Sequence, residues 1–180
     1  MLSIEILIAF FSASLLLALV PGPDNIFVLT QSIFQGKKSG LIIMLGLCTG
    51  LIFHTLAVAF GVAVVFQTSE IAFTILKIIG AMYLLYLAWQ IFNAPTEKID
   101  TENKDISIDY KKLYYRGIIM NITNPKVSIF FLAFLPQFTN PALGTVSLQM
   151  LLLGALFIFA TILIFGSIAL LSGSLAKVFN

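Results

Sequence analysis

Apolar runs near twenty residues long recur along this chain, and they limit what it can fold into more than any other feature. Roughly 20 apolar residues are needed to cross the hydrocarbon core as a helix. Within lipid only helices and closed barrels satisfy their own backbone hydrogen bonds. The runs are continuous rather than alternating, which excludes a barrel. Charged residues make up 10% of the chain and hydrophobic ones 59%, against about 25% charged in a soluble domain. Too few polar groups remain to cover a surface facing water. The predicted fold class is an all-α polytopic membrane protein.

Five spans are expected, at about 2–20 (continued by a short apolar piece, 26–34), 40–66, 71–92, 113–138 and 146–171. The segment Leu2 to Phe34 is too long for one straight crossing: at 1.5 Å per residue it would extend roughly 50 Å, against a core of about 30 Å. Pro21, Gly22 and Pro23 break it. Two half-helices making one crossing, or a re-entrant pair, both fit. The N-terminus lacks the basic start and small-residue cleavage site of a signal peptide, so the first span is expected to be retained.

Orientation follows the distribution of Lys and Arg near span ends. Lys37 and Lys38, the loop to Arg116, and Lys177 fall on one side if the spans alternate, and the opposite turns carry neither residue type. An outside N-terminus is predicted. Lys77 dissents, and is expected to snorkel or to pair with Glu70 at the outer boundary. The stretch 93–112 reads as a solvated cytoplasmic linker. The chain is then one transmembrane domain over 1–180: a first three-span repeat at 1–92, the loop at 93–112, and a second repeat at 113–180.

Two breaks carry the functional signal. Pro21-Gly22-Pro23-Asp24-Asn25 and Asn124-Pro125-Lys126 each interrupt an apolar helix and set an ionisable residue directly after a proline. Three spans precede the fourth, so a three-span repeat would return inverted, with discontinuous helices meeting near the midplane as in secondary transporters. A break leaves backbone N–H and C=O groups free, which is tolerated only inside protein or against a wet cavity. Asp24 suits an α-amino group or a proton, and Lys126 a carboxylate; together they suit a zwitterion. A charge at the bilayer centre costs at least about 2.5–3.5 kcal/mol, so each needs a partner, and the two can serve one another. The plain alternative is a pair of proline kinks near an interface.

Weaker candidates follow. Gly46, Gly50, His54, Ala57 and Gly61 share one face of the second span at helical spacing, a pattern that lets two helices approach closely. His54 would then face another helix, as a structural hydrogen-bonding group, a proton relay or a substrate contact. Asn121, Asn124 and Gln137 are expected to cap the broken fourth helix or to line a cavity. The single cysteine, Cys48, lies in an apolar run, and no Cys/His spacing suits a metal. No catalytic set or phosphate loop is present, so neither an enzyme nor a cofactor is expected. A net charge of +2 gives no electrostatic case for nucleic acid.

At these breaks the sequence resembles the LysE/RhtB family of bacterial amino-acid exporters. PGPDNIFVLTQSIFQGKKSGLIIMLGLCTG at 21–50, LKIIGAMYLLYLAWQIF at 76–92 and RGIIMNITNPKVSIFFLAFLPQF at 116–138 carry the resemblance. It implies a multi-pass protein of the inner membrane that exports amino acids or close derivatives, driven by the proton gradient. It also implies that Pro21, Gly22, Pro23, Asn124, Pro125 and Lys126 occupy signature positions. The weight on Asp24 comes from its charge and depth instead. The family typically has six spans, so a three-plus-three repeat here would lack its last helix. A chain short of that helix would expose a face favouring a homodimer. A passive channel, a non-transporting membrane subunit and a truncated fragment are the rival readings.

Overall fold

The computed structural model describes residues 2–62, 70–92 and 108–179. Seven α-helices make up its frame: α1 (Ile4–Leu19), α2 (Pro23–Gln35), α3 (Lys37–Ala57), α4 (Glu70–Phe92), α5 (Tyr110–Thr123), α6 (Pro125–Ile129) and α7 (Val146–Phe179). A π-helical turn, Val58–Val62, extends α3. A second, Phe130–Phe134, follows α6 and passes into 3-10 turns at Leu135–Phe138 and Pro141–Leu143. No strand occurs among the described residues, as the continuous runs require. The predicted linker up to residue 107, the turn before Glu70, and the side chains of Lys77 and Lys177 lie outside the described residues.

Two unbroken helices are long and apolar enough to cross a bilayer, Lys37–Gly61 and Val146–Ser174. Two broken pairs qualify when each is taken as one span: α1 with α2, bent by 61°, and α5 with Pro125–Phe138, bent by 51°. The third predicted span coincides with α4, a helix of 23 residues. The breaks fall where the prolines stand, because Pro cannot continue a helix but suits its first turn. Pro23 opens α2 and Pro125 opens α6.

α3 lies at the centre, packed along α5 and α7, while α7 also covers α1 and α2. Small residues set the α3–α5 crossing. A Cβ on Gly46 would meet the Tyr114 carbonyl oxygen, and one on Gly117 would come within 2.6 Å of the Ile43 carbonyl oxygen. Gly50 faces the Asn121 side chain, 2.7 Å from a Cβ built there. The predicted small-residue face therefore holds from Gly46 through His54. It ends there: Ala57 is exposed and nothing lies within 4 Å of a Cβ on Gly61, because α3 has by then run past the end of its partner.

The start of α3 lies beside the start of α5, with Lys38 Nζ 4.4 Å from the centre of the Tyr110 ring. Arg116 sits equally close, at 4.4 Å, over the Phe27 ring of α2. A Cβ on Gly173 of α7 would meet the Lys37 backbone. The basic segments grouped by charge counting thus gather at one end of the bundle. Near the start of α7, Gln149 holds the preceding turn, donating from Nε2 to the Asn140 and Gly144 carbonyls and accepting the Asn140 N–H on Oε1.

Two apolar clusters fill the interior. One is aromatic: Phe10, Phe130, Phe131 and Phe157 are buried together with Leu51, Met150 and Leu153. Phe130 stacks at 5.0 Å on Phe157 and 4.7 Å on Phe134. The Phe-rich run after the second break is core there rather than lipid-facing. The other cluster joins Val28, Ile43, Leu47, Leu113, Phe165 and Ala169.

Candidate functional site

Between the two clusters, where both breaks meet, lies a small cavity of about 20 Å³, room for about one water molecule. Leu51, Val127 and Phe157 reach it from the aromatic cluster, and Ala18, Leu47 and Phe165 from the other. Its polar wall is Asp24, Asn121, Lys126 and Thr161.

Each polar group is there for a local reason. Val20 ends α1, leaving last-turn carbonyls without a helical donor. Lys126 supplies one: Nζ donates to Leu17 O at 3.1 Å and Val20 O at 3.0 Å. The Asn25 amide adds a bond to Ala18 O at 2.7 Å. An ammonium at a helix C-terminus also meets the favourable end of the helix dipole. The complementary case is Asp24, in the first turn of α2, where the dipole favours a carboxylate. Gly22 precedes it in an extended conformation, and a Cβ there would lie 3.4 Å from Lys126 Nζ. The glycine lets the ammonium lie against the chain.

Asn124 ties the breaks together. Its Oδ1 accepts the Lys126 backbone N–H at 3.0 Å, capping α6. Its amide donates to Asp24 Oδ2 at 2.9 Å. One asparagine thus starts a half-helix and holds a carboxylate on another. Asn124→Ala removes both bonds. Losing the cap costs about 0.5–2 kcal/mol and losing a hydrogen bond to a charged group about 1.5–3 kcal/mol. A clearly lowered melting temperature in detergent is the expected outcome, and an unchanged one would contradict this role.

Asp24 and Lys126 are both buried, 4% and 8% exposed, yet each takes neutral partners instead of the other. The expected mutual pairing therefore does not describe this conformation. Lys126 was expected to be free for a carboxylate, but two of its three N–H groups are spent on α1 carbonyls, because the break in α1 exposes them first. Three buried acceptors remain without a hydrogen bond: Asp24 Oδ1, Asn25 Oδ1 and Asn121 Oδ1. Unpaired buried polar atoms are costly and call for an explanation. Two of the three belong to residues lining the cavity.

The remaining candidates sit around this centre. Pro21, Pro23 and Pro125 are exposed and shape the breaks without facing the cavity. His54 bonds through Nε2 to the Asn121 carbonyl at 3.2 Å and lies 5.6 Å from the Phe131 ring. It braces α3 on α5 at the residue that lines the cavity. Gln137 does neither thing expected of it: it is exposed and donates to Ala133 O one turn back, since the intervening π turn swings it away from the break. One residue escaped the sequence reading, Thr161. It is 3% exposed and lines the cavity. Its signal was present, a hydroxyl placed between Ala160 and Ile162 in an otherwise apolar run. Among the described residues no group of His, Cys, Asp and Glu could hold a metal.

The model of the LysE type translocator family matches residues 15–180. An uncharacterized membrane protein of Bacillus subtilis, YrhP, is 30% identical over 167 residues, covering 88% of this chain and 79% of its own. The leucine efflux protein of Salmonella choleraesuis is 34% identical over 128 residues, covering 71% of this chain. The chain spans 60% of that relative's length. No solved structure matches it.

Proposed function

The chain belongs to the LysE type translocator family and is a multi-pass protein of the bacterial inner membrane, and from that premise we propose that it exports amino acids or close derivatives by proton-driven secondary transport. One observation carries the reading. The two broken helices meet at a buried cavity whose wall holds a carboxylate with one oxygen unpaired, Asp24 Oδ1. A relative named for leucine efflux supports an amino acid as cargo.

The chemistry of coupling follows from that oxygen. A carboxylate holds either a proton or a substrate ammonium, not both at once. An ammonium arriving from the cytoplasm displaces the proton, and a proton arriving from outside displaces the ammonium. One amino acid leaves as one proton enters. Asn124, Asn25 and Lys126 hold the breaks in register, and Asn121 adds a second acceptor beside Asp24. The cavity in this conformation is too small for an amino acid, so loading requires the half-helices to part. In our reading the segments 1–92 and 113–180 rock against each other around this site, with the linker 93–112 in the cytoplasm.

The purified protein in vesicles loaded with labelled amino acids tests this. Saturable efflux that accelerates when the outside is made acidic is expected. Flux that neither saturates nor responds to the gradient would mean a passive channel. No flux with any amino acid would mean a non-transporting subunit.

A further inference from the structure

We propose that this cavity selects an α-amino acid with an uncharged aliphatic side chain, and that Thr161 is the residue that binds its carboxylate. The inference rests on the transport reading above and adds to it the class of cargo and one recognition residue.

The cavity wall divides by chemistry. Asp24 Oδ1 and Asn121 Oδ1 are buried acceptors without a donor, the complement of an α-ammonium. Two donors stand with them. Lys126 has one N–H beyond the two given to Leu17 and Val20. Thr161 has a hydroxyl that forms no hydrogen bond to any described residue, although the residue is 3% exposed. A buried threonine in a helix usually returns its hydroxyl to a carbonyl one turn back, as Thr55 does to Leu51 O at 2.7 Å. Thr161 does not, and it lines the cavity. Two acceptors and two donors match the two ends of a zwitterion.

The rest of the wall is Leu47, Leu51, Val127, Phe157 and Phe165. Phe157, Thr161 and Phe165 lie four residues apart on α7, so one helix face sets a hydroxyl between two rings. A lysine side chain would bring a second ammonium to a wall with no second carboxylate. An acidic one would bring a second carboxylate to a single, largely committed ammonium. An uncompensated charge at this depth weakens binding by at least about 100-fold. Shortening the side chain empties apolar contact, and each lost methylene in such a pocket is worth about 10–200-fold.

Equilibrium binding of labelled leucine to the purified full chain in detergent is the test, with unlabelled amino acids as competitors. Leucine, isoleucine and valine should compete well, and lysine, arginine, aspartate and glutamate at least about 100-fold more weakly. Thr161→Val, the same shape without the hydroxyl, should weaken leucine binding by about 10–100-fold at an unchanged melting temperature, and Thr161→Ser should restore it. Lysine or aspartate competing as well as leucine would overturn the side-chain class. Thr161→Val binding leucine like the parent, or losing binding only in step with a falling melting temperature, would overturn the role of Thr161. Selective binding without vesicle efflux would instead overturn the transport reading and leave this one standing.

Discussion

Asp24→Asn abolishes efflux driven by a pH gradient while leaving the protein inserted and folded. The substitution keeps the shape of the side chain and replaces one carboxylate oxygen with an amide. Asp24 Oδ2 accepts from Asn124 at 2.9 Å, and the amide oxygen of the variant can take over that role. What it cannot do is carry a proton or neutralise an ammonium. The variant should also be no costlier to insert, since a buried charge is removed. Efflux from loaded vesicles at several external pH values is the measurement, beside a melting curve in detergent. Undiminished, still proton-coupled efflux would remove Asp24 from the mechanism. Loss of efflux together with loss of the folded protein would mark it as structural.

The second large effect is at the α3–α5 crossing. Gly117→Leu should leave little monodisperse protein, and Gly117→Ala should cost about 1–3 kcal/mol or more. A Cβ at Gly117 meets the Ile43 carbonyl oxygen at 2.6 Å, and that atom is backbone, so no side chain can swing aside to make room. The helices must separate. Separation would also pull Asn121 away from His54 and Gly50, and so disturb the cavity wall. Gly61→Leu is the control, with nothing within 4 Å of its Cβ. Size-exclusion profiles of the three variants decide the matter: if Gly117→Leu and Gly61→Leu elute alike as folded protein, the crossing does not depend on Gly117.

The site was half legible in advance. Proline after an apolar run, followed at once by a charge, pointed to Asp24 and Lys126, and both are buried at the cavity. Partnership was not legible. Asp24 and Lys126 look like an ion pair in one dimension, and only the placement of α6 against the end of α1 gives Lys126 two carbonyls instead. Gln137 and Thr161 show the same limit from opposite sides. Both are isolated polar residues in apolar surroundings, and the sequence carries no term for which face each presents. A π turn sends Gln137 outward, and the register of α7 brings Thr161 inward.

By itself, the sequence determined the solvent, the helical class and the location of the breaks. Each of those follows from local chemistry: apolar length against bilayer thickness, backbone hydrogen bonds without water, and a proline that cannot donate. Only the tertiary structure decided how the breaks engage one another, which small residues form the α3–α5 contact, and which polar atoms are left unpaired around the cavity. Those depend on side chains brought together from positions about a hundred residues apart, Asn124 on Asp24 above all. The packing of α3, α5 and α7 fixes that juxtaposition, and no local pattern in the chain encodes it.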